Sequence, residues 1–136
     1  MRQVNVIAVF NEAADQLLFC ERRRDPYKGL LNLVGGKIEP GEDHLDAAYR
    51  ELWEETAITR EDIRLIHLMD FRYYLEDTLL EVYAGRLNKP VEVRGDENEL
   101  RWLGTEQDFF SSGFAGEGNM GHIMEIIRKN REHLLV

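Results

Sequence analysis

Between Gly36 and Ile58 the chain reads GKIEPGEDHLDAAYRELWEETAI, a tight turn running into a segment with helical period and three crowded carboxylates. Leu45, Ala48, Leu52 and Thr56 recur every three or four residues, which is the spacing of a helix with one buried stripe. Asp43 stands where it can cap that helix, predicted over Glu42 to Ala57. At about 100° per residue, Glu51, Glu54 and Glu55 fall within roughly 100° of arc beside the stripe, and Arg50 lies one turn before Glu54. An acidic helix face is commonly just a solvated face. Three carboxylates this close repel one another unless a cation sits among them, however, and hard oxygen ligands suit Mg²⁺ or Mn²⁺. The preceding Gly35-Gly36 pair and the Glu39-Pro40-Gly41-Glu42 turn bring backbone oxygens and amides to the same end of the helix.

This segment resembles the Nudix box, Gly-x5-Glu-x7-Arg-Glu-U-x-Glu-Glu-x-Gly-U, where U is a bulky apolar residue. Gly36, Glu42, Arg50-Glu51, Leu52, Glu54-Glu55 and Ile58 fill its positions in register, and Ala57 stands where the second glycine belongs. Glycine after a helix accepts positive φ freely, whereas alanine costs roughly 1 kcal/mol there or lets the helix run on. The resemblance implies the Nudix fold, an α/β architecture with a mixed sheet sandwiched between helices. It implies hydrolysis of a nucleoside diphosphate linked to another group, with Mg²⁺ (or Mn²⁺) held by Glu51, Glu54, Glu55 and the carbonyl of Gly35. Arg50 matches the arginine that orients the glutamates, and Glu42 a support for the loop and helix or, alternatively, a ligand of a further ion. Members of the family differ in the residue that serves as base. Glu54 and Glu51 are candidates on the helix, and Glu97 or Glu99 from the loop before Arg101, with Glu99 favoured because it lies nearer the next strand.

Bulk properties agree with a small enzyme. The 136 residues suffice for one domain and one substantial core. A net charge of −9 argues against a nucleic-acid polymer or a membrane surface as partner, while leaving a small nucleotide possible if metal and local arginines receive it. Cys20, the only cysteine, excludes an intramolecular disulfide and reads as a small buried residue. Val4 to Phe10 is too short for a membrane span and is interrupted by Asn5, which makes a cytoplasmic location the default.

Alternation predicts strands over Val4 to Phe10, Leu17 to Glu21, Leu31 to Val34, Arg64 to Tyr74, Leu79 to Leu87 and Leu100 to Leu103. Ile123, Ile126, Ile127 and Leu134 place a second helix over His122 to Leu135, after a glycine-rich loop. Within that loop, Gly116 to Gly121 fits a dinucleotide fingerprint in letters only, because no hydrophobic strand leads into it. The four histidines show no metal-ligand spacing along the chain.

Asn32-Leu33-Val34-Gly35-Gly36-Lys37 is similar to the Asn-x-Phe-Gly-Gly-Lys pattern of oxidised purine nucleoside triphosphatases, in which the asparagine bonds the purine. An amide can donate and accept at once, as a purine edge requires; a hydrogen bond from Asn32 to its own loop is the lesser alternative. Arg22 aligns with a basic residue near the phosphates in that branch. Lys37 and Asn119 complete the expected substrate contacts, with Phe114 and His122 as further pocket candidates against a plain buried-aromatic role. The expected reaction converts a purine nucleoside triphosphate, for example 8-oxo-dGTP, to nucleoside monophosphate and pyrophosphate. Hydrolysis of a dinucleoside polyphosphate or nucleotide sugar, and a non-catalytic nucleotide-binding module, are the alternatives.

Overall fold

Alternating apolar residues and the two helical stripes produce a central sheet with a helix on each side. The structure is a computed structural model that describes residues 1–25, 27–116 and 118–135. Its elements are β1 (Arg2–Phe10), β2 (Gln16–Glu21), β3 (Leu31–Asn32), α1 (His44–Thr56), β4 (Ile66–Tyr73), β5 (Thr78–Arg86), β6 (Glu99–Gly104), α2 (Asn119–Lys129) and α3 (Arg131–Leu134). The strand path is β3-β2-β1-β5-β4, with β6 against β2. β1 and β5 run parallel from Arg2 opposite Thr78 to Phe10 opposite Arg86, and the other pairs of strands are antiparallel, so the sheet is mixed.

Each face of the sheet closes its own core. On one face Ile7, Val9, Leu18, Cys20, Val34 and Tyr83 pack under Ala48 and Leu52 of α1. On the other, Ala8, Phe10, Phe19 and Val82 pack under Met120, Ile123, Met124 and Ile127 of α2. Burial of this apolar surface, at roughly 25 cal/mol per Å², drives the layering. Cys20 is buried and its thiol is pushed up to about 11, chiefly by burial, in keeping with a packing role.

Asp43 caps α1, its side chain accepting from the amide of Asp46, and Ala57 ends the helix in the left-handed region at φ 66°. The helix therefore stops where the missing glycine would stop it, and alanine carries the strain. The buried stripe is Ala47, Ala48, Leu52 and Thr56, while Leu45, in the first turn, is 40% exposed.

The C-terminal helix starts earlier than predicted, at Asn119, and breaks at Asn130. There the Asn130 side chain donates to the Ile126 carbonyl, which its backbone N–H also reaches, ending α2 before α3 begins. Ile126 falls off the stripe and Met124 takes its place. Within the glycine-rich loop, Glu117 lies outside the described residues. Among the described residues no helix is long and apolar enough to cross a membrane.

Candidate active site

The loop before α1 is moored to β1. Ile7 and Val4 bridge to Val34 and Lys37, the Asn5 N–H donates to Gly36 O at 2.8 Å, and the Gly36 N–H donates to Asn5 Oδ1 at 3.0 Å. Gly35 sits at φ +150°, so close to β1 that a β-carbon would lie 2.1 Å from Asn5 O. Gly36 faces α1 instead, where a β-carbon would lie 2.3 Å from Glu51 Oε2. Only a glycine pair lets the loop pass between the strand and the glutamate helix. Asn5, in the sequence merely a polar break in an apolar strand, is 1% exposed and anchors the loop.

Arg50 holds the acidic residues in place. Its guanidinium donates to Glu42 from Nε at 2.7 Å and Nη2 at 2.9 Å, to the Lys37 carbonyl at 2.9 Å, to Glu51 at 3.0 Å and to Glu54 at 3.3 Å. This fork draws Glu42 down to about 2 and keeps Arg50 itself firmly protonated. Glu42 also accepts from the Glu39 N–H, which makes it the strut between turn and helix.

Glu51, Glu54 and Glu55 line a cleft of ≈ 210 Å³ with Asp96, Glu97, Asn98 and Leu100. Burial pushes Glu55 up to about 7; a backbone hydrogen bond from Gly35 and the charge of Arg22 lower it, and the charges of Glu51 and Glu97 raise it. Glu51 is raised as well, first by burial and then against the pull of Arg50. A carboxylate desolvated and crowded as Glu55 is takes up a proton more readily, and a divalent cation would displace it. The donor set is all oxygen, which fits a hard ion such as Mg²⁺.

The other expected site residues are scattered. Arg22 continues the alternation of β2 from Cys20 on the α1 face, and its charge acts on Glu55. Asn32 and Val34 share that face, and Asn32 Oδ1 accepts from the Leu33 N–H at 2.9 Å. Lys37 gives its carbonyl to Arg50 while its side chain is exposed. Asn119 starts α2 on the opposite face of the sheet, its amide hydrogen-bonded to the Tyr73 hydroxyl, and is not among the residues lining the cleft. Phe114 is buried among Phe19 and Phe109, a core role, and His122 sits exposed at the edge of Phe71.

Glu99 opens β6 opposite Glu21, and alternation explains why it does not line the cleft. Leu100 and Trp102 pack on the α1 face, whereas Leu103 packs on the α2 face, so Glu99 and Arg101 turn with Leu103 away from the glutamates. Nearness to the strand, the reason for favouring Glu99, is what points it elsewhere. Glu97, still in the loop, lines the cleft, together with Asp96 and Asn98, which sequence reasoning missed. The acidic run Asp96 to Glu99 was the available signal, and Asn98 also accepts from the Arg23 N–H at 3.2 Å.

Residues 1–110 match the NUDIX domain family, and the chain belongs to that family. An RNA pyrophosphohydrolase from Pelagibacter ubique (strain HTCC1062) is 36% identical over 103 residues, covering 69% of this chain and 63% of that protein. An oxidized purine nucleoside triphosphate hydrolase from Danio rerio is 29% identical over 104 residues, covering 75% of this chain and 67% of that protein. The chain thus spans less than two thirds of the length of the first of these relatives. An Ap4A hydrolase from C. elegans, solved as a binary complex, superimposes with a TM-score of 0.78 at 19% identity, covering 97% of this chain and 98% of that one. At that identity the likeness is one of fold.

Proposed function

We propose that this chain is a Mg²⁺-dependent hydrolase of nucleoside diphosphate derivatives, with a purine nucleoside triphosphate, such as 8-oxo-dGTP, as its substrate. The observation that carries this reading is that Glu51, Glu54 and Glu55 face one cleft, the first two braced by Arg50. These carboxylates, with the Gly35 carbonyl, would hold the ion, which supplies neutralisation of phosphate charge and a lowered pKa for bound water. Water then attacks one phosphorus of the diphosphate link, the P–O bond to the bridging oxygen breaks so that this oxygen leaves with the departing phosphate, and a carboxylate takes the proton from water. Glu54, the most open of the trio at 46% side-chain exposure, is the first choice for that base, and Glu97 is the choice from the loop in place of Glu99. Arg22 would meet the phosphates. Asn32 would present its amide to the base, with its carbonyl already turned to the Leu33 N–H.

The relative named for oxidized purine nucleoside triphosphates supports this substrate class. The higher identity to an RNA pyrophosphohydrolase favours a second reading, in which the triphosphate belongs to an RNA 5′ end. A net charge of −9 weighs against a long polyanion.

One panel distinguishes the readings: pyrophosphate release from 8-oxo-dGTP, the ordinary nucleotides, a dinucleoside polyphosphate and a 5′-triphosphorylated oligoribonucleotide, with Mg²⁺ or with chelator. Glu54→Gln should lower turnover at least ~100-fold with the fold intact. Turnover near the wild-type level in that variant, or in chelator, would overturn the assignment.

A further inference from the structure

The four histidines form no pattern along the chain, yet folding gathers two of them around a buried carboxylate away from the glutamate cleft. β4 carries a bulge: His67 pairs with Tyr83 but Met69 pairs with Val82, so Leu68 is an extra residue. In a regular strand, residues three apart point to opposite faces. The bulge cancels that, and His67 and Asp70 come to lie on one face, opposite Tyr83 and Glu81 of β5.

Glu81 is 3% exposed. Its Oε1 accepts from the Tyr83 hydroxyl at 2.8 Å, and its Oε2 lies 2.5 Å from Nδ1 of His44, the first residue of α1. His67 stacks on Tyr83 with ring centroids 4.7 Å apart, and its Nε2 lies 2.6 Å from Asp70 Oδ1. One ligand atom each from His67, Asp70 and Glu81 falls within 4.8 Å of the others.

We propose that His67, Asp70 and Glu81 form a second metal site, selective for a transition ion of the Zn²⁺ class, with His44 orienting Glu81 through its hydrogen bond. Imidazole nitrogen beside carboxylate oxygen suits Zn²⁺, whereas Mg²⁺ prefers oxygen alone. Three protein donors leave one tetrahedral position for water, and the His67–Asp70 contact is the hydrogen bond that such groups make with one another when they converge. Tyr83 fixes the Glu81 carboxylate from outside the ligand set, the kind of contact that orients metal ligands. A carboxylate this buried needs cationic partners. The two histidines and Asp70 are each between 40% and 46% exposed in their side chains, so an ion can reach the site from solvent. Bound there, it would clamp the β4 bulge to β5. None of its donors belongs to the glutamate cleft, so the site stands or falls independently of the proposed hydrolysis.

The test is equilibrium dialysis of metal-stripped protein against Zn²⁺ in excess Mg²⁺, which saturates the all-oxygen cleft, with Co²⁺ as a visible probe of the same site. The wild-type chain should retain one Zn²⁺ and show the strong visible bands of four-coordinate Co²⁺. His67→Ala should weaken retention at least ~10–100-fold, His44→Gln should weaken it too, and Glu54→Gln should leave it unchanged. Thermal melts of the metal-free variants report folding; the exposed His67 can be removed without opening the core. Absence of Zn²⁺ retention, or retention indifferent to His67→Ala in a folded variant, would overturn the proposal and leave a hydrogen-bonded cluster only.

Discussion

Gly36 and Glu51 are in direct apposition: the Glu51 carboxylate occupies the space that a side chain at position 36 would need, so that a β-carbon there would lie 2.3 Å from Glu51 Oε2. Gly36 is not among the residues with positive φ, so its backbone accepts alanine without strain. Gly36→Ala should therefore act through Glu51. Turnover should fall at least ~100-fold, the scale of losing a positioned metal ligand, while the melting temperature moves little. Pyrophosphate release and a thermal melt on the same sample check it; wild-type turnover would mean that Glu51 has room to move.

Glu55 gives the metal-free protein an unusual pH response. Its pKa in the fold, about 7, lies above the ordinary value of 4.5, so between those values the folded state holds a proton that the unfolded state has released. Stability from this group is present at acid pH and is lost as pH rises from about 4.5 to 7. A divalent ion that needs the carboxylate unprotonated reverses the trend. The rise in melting temperature on adding Mg²⁺ should grow between pH 5.5 and 8, measured at matched ionic strength; an increment independent of pH would detach Glu55 from the metal.

Ala57 carries a strain that glycine would not. At φ 66° an alanine costs about 1–2 kcal/mol, part of which glycine gives back through its greater freedom when unfolded. Ala57→Gly should stabilise the chain by about 0.5–1 kcal/mol in denaturant melts and leave turnover unchanged. A loss of stability would show that the methyl group contributes packing at the helix end.

Asn32 tests the base rather than the chemistry. With its Oδ1 turned to Leu33, its amide nitrogen is the group left to address a base. Asn32→Ala should reduce kcat/KM for the preferred purine ~10-fold, within the 1–3 kcal/mol of a specific base contact, and change other nucleotides less. Equal losses across all bases would confine Asn32 to its loop.

The parts of this site written in local spacing were legible, and the parts made by tertiary contact were not. Helical period and the box put Arg50, Glu51, Glu54 and Glu55 on one helix, and alternation gave the main strands in order, because both signals repeat within a few residues. Glu99 was favoured by distance along the chain, but strand alternation turns it to the other face. Asn5 as anchor depends on the loop's docking 31 residues away, and the His67–Glu81 cluster depends on a bulge that leaves no mark in composition. The break at Asn130 comes from a side chain competing for a helix carbonyl, a local effect masked by the apolar stripe that continues through it to Leu134.

The Arg50 fork has a thermodynamic corollary. Because one guanidinium grips Glu42, Glu51, Glu54 and the Lys37 carbonyl together, the rotamers of two of the proposed ligand carboxylates are chosen during folding. A divalent ion held there, as proposed, would find a preorganised cradle, and its calorimetric signature should be dominated by released water, with little side-chain ordering left to oppose it.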